Sequence, residues 1–247
     1  AQPLVKTSWE KPRLTVEINV IGTINIFEIL KKHKIPSKVI LACTATEFGT
    51  TAFEIKRPLK EEDPLKAVHP YGISKIAAEL LARQYFINFG IDAVNVRFFN
   101  QIGPKQTGVA AADFISQVAQ IELGLKEPEI KVGNLEPYRD FTGIKDTIQA
   151  LWLAAKKGKS GETYHVCSGM KTQIRELLDI SLSFSSKNIE VIESVPNKMR
   201  STDENIIIGD NSKIKNELGF KPMQSIKAVL NDIYEYWINY YKKEMNA

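Results

Sequence analysis

Two side chains stand out for the chemistry their spacing allows. In the stretch HPYGISKIAAELLARQY, Tyr71 lies four residues before Lys75, so on a helix the phenol and the ammonium share one face. A free phenol, with a pKa near 10, is a poor acid or base at neutral pH, and a lysine one turn away favours its anion. Thr44, just past the apolar run KVILAC, could hydrogen-bond the same substrate oxygen. A phenol, an ammonium and a hydroxyl converging on one oxygen form a device for moving a proton on or off a carbinol/carbonyl pair. Tyr-x-x-x-Lys by itself is a common surface pair of helices. Its weight here comes from its company: Thr44 upstream, and RFFNQIGP with Asn100 downstream.

These residues need elements to hold them. Pro70 suits the first turn of a helix, where its missing N–H costs nothing. Ile76, Ala77, Leu80, Leu81 and Tyr85 then recur with helical period until Gly90, a stop signal. Residues 14–34 read as one helix, apolar around most of its circumference. Residues 38–43 read as a short strand buried on both faces, as in a parallel sheet, and 92–100 as another. The alternation helix, strand, helix, strand is that of an α/β fold. In such sheets ligands bind beyond the carboxyl ends of the strands, where Thr44, Thr46 and Asn100 stand.

Past residue 105 the elements shorten. A helix is expected near 111–123, a strand at IKVG, a helix over DTIQALWLAAKKG and a strand at TYHVCSG. Thr172 is expected to cap a helix over about 173–183, and an amphipathic helix near 225–243 closes the chain. The division expected is a Rossmann-like part over 1–105 and a smaller α+β lobe over 106–247, some of whose segments return to the first sheet.

The 247 residues carry a net charge of +4 without a long basic run, which argues against a nucleic-acid partner. Cys43 and Cys167 are far apart and sit in apolar stretches, so they read as core thiols rather than a disulfide framework or zinc site. His33, His69 and His165 lack metal-site spacing and read as structural. No apolar run reaches membrane-span length and no signal peptide is visible, so the expected location is cytoplasmic.

Taken in order, NVIGTINIFEIL, TATEFG, PYGISK, RFFNQIGP, VGNLEPYRDF, IKD and LGFKP resemble extended short-chain dehydrogenases/reductases of the epimerase/dehydratase kind, which act on nucleotide sugars. The likeness spans essentially the whole chain, and within the family it is to the GDP-mannose reductases and dehydratases. The resemblance implies NADP or NAD as cofactor, a nucleotide-diphosphate sugar as substrate and no metal. It implies that Tyr71 is the catalytic tyrosine, Lys75 the lysine that contacts the nicotinamide ribose, and Thr44 their hydroxyl partner. Asn19 would lie near the cofactor or satisfy backbone within a buried helix. Thr46 and Asn100 would meet the sugar, and Arg139 and Arg200 would grip the diphosphate, a role suited to a bidentate guanidinium. Lys105 and Lys131 are weaker candidates.

One departure bears on the reaction. The family's dehydratases carry a glutamate two residues after the catalytic Ser/Thr, as base at sugar C5. Aligned on Gly49, that position is Thr46, and Glu47 falls one residue later, where a shift by one turns a strand side chain to the other face. Phe48 stands where the family usually has Tyr. The reading is therefore reduction of a nucleotide-linked 4-keto-6-deoxy sugar, most simply a GDP-linked one, with 4-epimerase, 4,6-dehydratase or a non-catalytic sugar-nucleotide binder as rivals. The resemblance also implies a homodimer through a four-helix bundle of helices 14–34 and 70–89, with Val16, Val20, Ile24 and Phe27 on the apolar face. It places Ala1 and Gln2 at the end of the sheet's fourth strand, and the 247 residues contain no G-x-x-G-x-x-G. The expectation is that the sequence is a fragment without the N-terminal strands and binds NAD(P)H poorly.

Overall fold

The computed structural model describes residues 1–193, 195 and 206–246. In chain order its elements are α1 (Val5–Glu10), α2 (Pro12–Val16), a π-helical turn (Glu17–Ile21), α3 (Gly22–His33), β1 (Val39–Thr44), a 3₁₀ turn (Ala45–Glu47) and α4 (Thr51–Glu54). There follow α5 (Pro70–Phe89), β2 (Ala93–Phe98), β3 (Asn100–Ile102), α6 (Ala110–Glu122), β4 (Glu129–Lys131), β5 (Tyr138–Arg139), β6 (Phe141–Gly143) and α7 (Ile144–Lys157). The last are β7 (Thr163–Val166), β8 (Thr172–Gln173), α8 (Ile174–Leu182), β9 (Glu190–Ile192), β10 (Ile206–Ile207), α9 (Ser212–Leu218) and α10 (Ile226–Met245).

The chain divides into two compact units. The first holds residues 1–99, 147–169 and 208–221. Its centre is a parallel, Rossmann-like sheet in the order β1-β2-β7. Val94 and Val96 point to one face, onto Ala150 and Ala154 of α7 and Ile214 and Leu218 of α9. Ala93 joins the other face, with Phe27 of α3 and Ala82 and Tyr85 of α5. Helices on both faces explain why β2 is buried along nearly its whole length, Asn95 and Arg97 included. β1 departs from the expectation of a doubly buried strand. Its residues Val39–Leu41 are half-buried and Ala42 is exposed, and only Cys43 and Thr44 are buried.

The helix expected over 14–34 is α2, a π turn and α3 in succession. Phe27 is not on an outward apolar face: it is fully buried and stacks on Tyr85 at 4.8 Å. Val16 is exposed as expected and Val20 and Ile24 are half-buried, with Leu14, Ile18, Ile21, Ile26 and Ile29 also exposed; the π turn adds a residue and rotates the helix downstream of it, which carries Phe27 inward.

α5 starts with the His69 Nδ1 accepting the Gly72 N–H at 2.9 Å and Pro70 in its first turn. It ends at Gly90 with φ 67°, a left-handed cap glycine adopts without cost.

The second unit holds residues 100–146, 170–207 and 222–247. Its small sheets pair β3 with β6, β4 with β9, and β5 with β10 and β8. α6, α8 and α10 close a core around Ile115, Ile130, Leu177 and Ile233. Thr172 is not a helix cap: it lies in β8 opposite Arg139, and Gln173 precedes α8 without a side-chain capping bond. The β pairing at 172–173 displaces the helix start by one residue. No helix among the described residues is long and apolar enough to cross a membrane.

Candidate active site

β1 ends at Thr44, and the chain turns at once into the 3₁₀ helix Ala45–Glu47. Thr44 is its N-cap. Its Oγ accepts the Thr46 N–H at 3.3 Å, and Glu47 Oε1 accepts the Thr44 N–H at 2.9 Å, so the two side chains satisfy each other's backbone. This capping box holds the Thr44 hydroxyl at the strand's carboxyl end. Thr46 Oγ is 3.2 Å from Thr44 Oγ. Gly49, at φ +50°, lets the chain bridge to Lys66; a Cβ there would lie 1.9 Å from the Lys66 carbonyl oxygen.

Tyr71 and Lys75 stand in the first two turns of α5. Burial raises the Tyr71 phenol above its ordinary value, and the Thr44 hydroxyl pulls against that rise. The lysine was expected to favour the phenolate; here burial wins and the phenol stays a proton donor. Lys75 is 6% exposed, and burial lowers its ammonium below the usual range. Its Nζ donates to the Ala42 carbonyl at 2.8 Å, its one hydrogen bond among the described residues. An ammonium has three N–H donors, so two remain for an acceptor such as a ribose hydroxyl. A buried amine short of acceptors, beside a phenol and a hydroxyl at a strand's carboxyl end, fits the nicotinamide riboside of the implied cofactor. The glycine-rich turn for its pyrophosphate is not among these residues.

Asn19 is fully committed. Its Oδ1 accepts the Gln2 N–H at 2.8 Å, and its Nδ2 donates to the Gln2 carbonyl and to Ser74 Oγ, each at 3.0 Å. Ser74 Oγ in turn donates to the Tyr71 carbonyl at 2.7 Å. Asn19 thus braces the first turn of α5 from the π turn. Gln2 and Ser74 complete this brace, and the composition of neither segment marks them.

Beneath Thr44 lies a buried charge cluster that sequence reasoning missed. Arg97 of β2 donates Nε and Nη2 to Glu79 of α5 at 2.9 and 2.6 Å and Nη1 to the Glu61 carbonyl at 2.8 Å. Glu47 Oε2 is 3.3 Å from Arg97 Nε. Burial and the Glu79 charge push Glu47 up to about 9. Burial also acts to raise Glu79, but its bonds to Arg97 outweigh that and lower it. Glu47 is therefore not turned to an opposite strand face, as its spacing suggested: it leaves on a 3₁₀ turn and points into the core. The Cys43, Glu47 and Glu79 donor atoms lie within 4.8 Å of one another, but the Arg97 guanidinium already supplies the cluster's positive charge. Cys43 and Cys167 are buried free thiols. His165 is fully buried against Phe48 and Phe99, and burial pushes its imidazole down to about 3.

The first unit thus brings Asn19, Thr44, Thr46, Tyr71 and Lys75 together. Asn100 and Arg139 belong to the second unit. There Asn100 donates both its backbone N–H and its Nδ2 to the Asp140 carbonyl at 3.1 Å, at the start of the pairing of β3 with β6. Arg139 donates Nη1 to the Tyr138 carbonyl at 2.8 Å. Arg200 lies outside the described residues.

The chain is similar to known proteins in sequence and in fold. Over 236 residues the chain is 30% identical to GDP-6-deoxy-D-mannose reductase of Pseudomonas aeruginosa, covering 94% of this chain and 77% of that protein. It is 26% identical to GDP-mannose 4,6 dehydratase 1 of Arabidopsis thaliana, covering 99% and 68%. The solved structure of RMD from Pseudomonas aeruginosa complexed with NADPH superposes with a TM-score of 0.91 at 28% identity, covering 97% of this chain and 80% of that one. UDP-glucose 4-epimerase from Thermotoga maritima with UDP-glucose superposes at 0.86 and 25% identity, covering 99% and 76%. The model of the GDP-mannose 4,6 dehydratase family matches residues 1–233, and the chain belongs to that family.

Proposed function

We propose that this protein is an NAD(P)H-dependent reductase of a nucleotide-linked 4-keto-6-deoxy sugar, most simply GDP-4-keto-6-deoxy-mannose. The observation that carries the reading is the Thr44, Tyr71 and Lys75 set at the carboxyl end of β1, with Thr46 where a dehydratase needs a carboxylate. NAD(P)H, when bound, supplies a hydride to C4 of the sugar. Tyr71 gives its phenolic proton to the C4 oxygen, and its raised pKa keeps that proton in place at neutral pH. The Thr44 hydroxyl donates to the same oxygen and orients it. Lys75, fixed by the Ala42 carbonyl, offers its remaining N–H groups to the nicotinamide ribose. Asn19 steadies the tyrosine's helix through Ser74. Thr46 cannot take a proton from C5, because an alcohol is no base at neutral pH. Asn100 is assigned to the sugar, and Arg139 and Arg200 to the diphosphate.

The GDP-6-deoxy-D-mannose reductase likeness and the NADPH-bound neighbour support the reductase over the epimerase reading. The test is incubation with GDP-4-keto-6-deoxy-mannose and NADPH. Stoichiometric NADPH oxidation with formation of the reduced sugar supports the proposal. Sugar isomerisation without net oxidation assigns an epimerase, and binding without turnover a non-catalytic relative.

We further propose a homodimer and, in keeping with two buried free thiols, a cytoplasmic location. The apolar side chains left exposed at Leu14, Ile18, Ile21 and Ile29, and at Ile73, Leu80 and Ile87 of α5, run at helical spacing along the two helices assigned to a four-helix bundle. Sedimentation at micromolar concentration should give a dimer, and Leu80→Glu a monomer. A wild-type monomer with intact fold would remove the assignment.

A further inference from the structure

The cluster beneath Thr44 has two carboxyl groups and one guanidinium in a space closed to water. Glu47 is 0% exposed, Glu79 6% and Arg97 3%. Arg97 gives two bonds to Glu79 and its third to the Glu61 carbonyl, none to Glu47. Glu47 Oε1 is held by the Thr44 N–H, while Glu47 Oε2 has no hydrogen-bond donor among the described residues. Two carboxylates this close, sharing one cation, cannot both stay ionised without a large penalty. A proton on the oxygen without a donor removes that penalty and supplies the missing hydrogen bond, from one carboxyl to the other.

We propose that Glu47 is a positioning residue for the Thr44 hydroxyl and acts as a neutral carboxylic acid whose proton is shared with Glu79. In that state one carboxyl oxygen fixes the Thr44 backbone through the capping box, and the other is tied to α5, which carries Tyr71 and Lys75. The shared proton then ties the strand end to the helix that carries the proton-transfer groups, beside the bond from Lys75 to the Ala42 carbonyl. The groups that face Glu47 are consistent with this: Cys43 from β1, Arg97 from β2, and Glu79, Tyr71 and Lys75 from α5, with Glu61 reached through Arg97. The positioning role rests on the reductase reading; the shared proton does not.

The test compares wild type with Glu47→Gln, which keeps an acceptor for Thr44 and a donor for Glu79, and Glu47→Leu, which keeps neither. At neutral pH, difference infrared spectra of the wild type should contain a protonated-carboxyl carbonyl band that Glu47→Gln removes. The Thr44 amide should be protected from hydrogen exchange in wild type and Glu47→Gln, and lose protection by at least ~10-fold in Glu47→Leu. With NADPH and the keto sugar, Glu47→Leu should lower kcat by ~10- to 100-fold with KM within about twofold, while Glu47→Gln stays within about threefold of wild type in kcat. Should Glu47→Leu not fold, Glu47→Asn, whose amide falls one methylene short of Thr44, replaces it. A band unchanged in Glu47→Gln, equal Thr44 protection in all variants, or equal kcat losses in Gln and Leu would overturn the proposal. The infrared and exchange measurements need no cofactor or substrate. Absence of NADPH oxidation by the wild type would therefore sink the reductase reading while they still decide the role of Glu47.

Discussion

Replacing Glu79 with glutamine should change the charge of a different residue, Glu47. In the wild type Arg97 is paired with Glu79 at 2.6–2.9 Å, and Glu47 Oε2 stands 3.3 Å from Arg97 Nε as the next anion available. Removing one partner of a buried ion pair ordinarily costs about 3–5 kcal/mol, because the other charge is left uncompensated. Here Glu47 can lose its proton and become the new counter-ion. The expected cost of Glu79→Gln at neutral pH is therefore only about 1–2 kcal/mol, below the ordinary penalty for breaking a buried pair. Glu47→Gln alone keeps the Arg97–Glu79 pair and should cost under about 1 kcal/mol, since its amide can replace both hydrogen bonds. In the double variant Arg97 keeps only neutral partners, among them the Glu61 carbonyl at 2.8 Å, and the full ~3–5 kcal/mol should return. At the middle of these ranges the two substitutions are thus non-additive by about 2 kcal/mol.

The same switch has a pH signature. Glu47 in the folded chain holds its proton up to about 9, while in the unfolded chain it ionises in the ordinary carboxylate range. Between those limits the folded state binds one more proton, so the group's contribution is full at the acidic end and is lost as pH rises, by about 1.4 kcal/mol per unit. Urea unfolding followed by circular dichroism at about pH 6, 7 and 8 should show that slope as the difference between wild type and Glu47→Gln, which cancels the other titrating groups. Glu79→Gln, with Glu47 already ionised, should lack it. Additive costs at neutral pH, or parallel slopes in wild type and Glu47→Gln, would refute a neutral Glu47.

Tyr71→Phe should lower kcat by at least ~10²-fold with sugar-nucleotide affinity nearly intact, because it removes a proton donor and little packing; single-turnover kinetics and calorimetry on one preparation check both halves, and Thr44→Ala should act in the same direction more mildly. Arg139→Ala should weaken binding of the GDP-sugar by about 1.5–3 kcal/mol, the scale of a charge-assisted hydrogen bond, and equal losses for free sugar would mean that Arg139 does not hold phosphate. Gly49→Ala should destabilise the first unit by about 2–4 kcal/mol, since the new Cβ would meet the Lys66 carbonyl in a left-handed backbone; denaturation by urea reads this directly, and a wild-type midpoint would contradict the close approach.

What the sequence made legible was the part written in local pattern. The helix of Tyr71 and Lys75 announces itself through Pro70, its apolar period and Gly90, and the strand of Thr44 through its apolar run. What it hid was decided by tertiary placement. β1 reads as doubly buried because an apolar run of strand length does not show what packs against each of its faces. The π turn at Glu17–Ile21 shifts the outward face of the first long helix, and no residue type there signals it. The Glu47, Glu79 and Arg97 cluster draws on three elements up to 50 positions apart, each contributing one charge that would pass for a solvated side chain.

That cluster bears on why the displacement of one carboxylate matters. The resemblance places a dehydratase's base at the position of Thr46, two residues after the catalytic hydroxyl. Here the glutamate comes one residue later, on a 3₁₀ turn of about 120° per residue, so the same side chain is carried from the substrate side into the core. There it is fully buried, and burial and the Glu79 charge push its carboxyl up to about 9. It instead accepts the Thr44 N–H and closes the capping box. The vacated position holds a hydroxyl 3.2 Å from that of Thr44, which can hydrogen-bond a sugar but not deprotonate it. On the proposed reading, the shift that leaves no carboxylate at the dehydratase position also stiffens the strand end that holds the hydroxyl assigned to reduction. Restoring the carboxylate by Thr46→Glu should therefore not yield a dehydratase while Glu47 stays: the new charge would stand against Thr44 and weaken reduction instead. NADPH oxidation and 4,6-dehydration of GDP-mannose, assayed side by side, test this, and appearance of the 4-keto product in Thr46→Glu would show the strand end to be less committed than its hydrogen bonds imply.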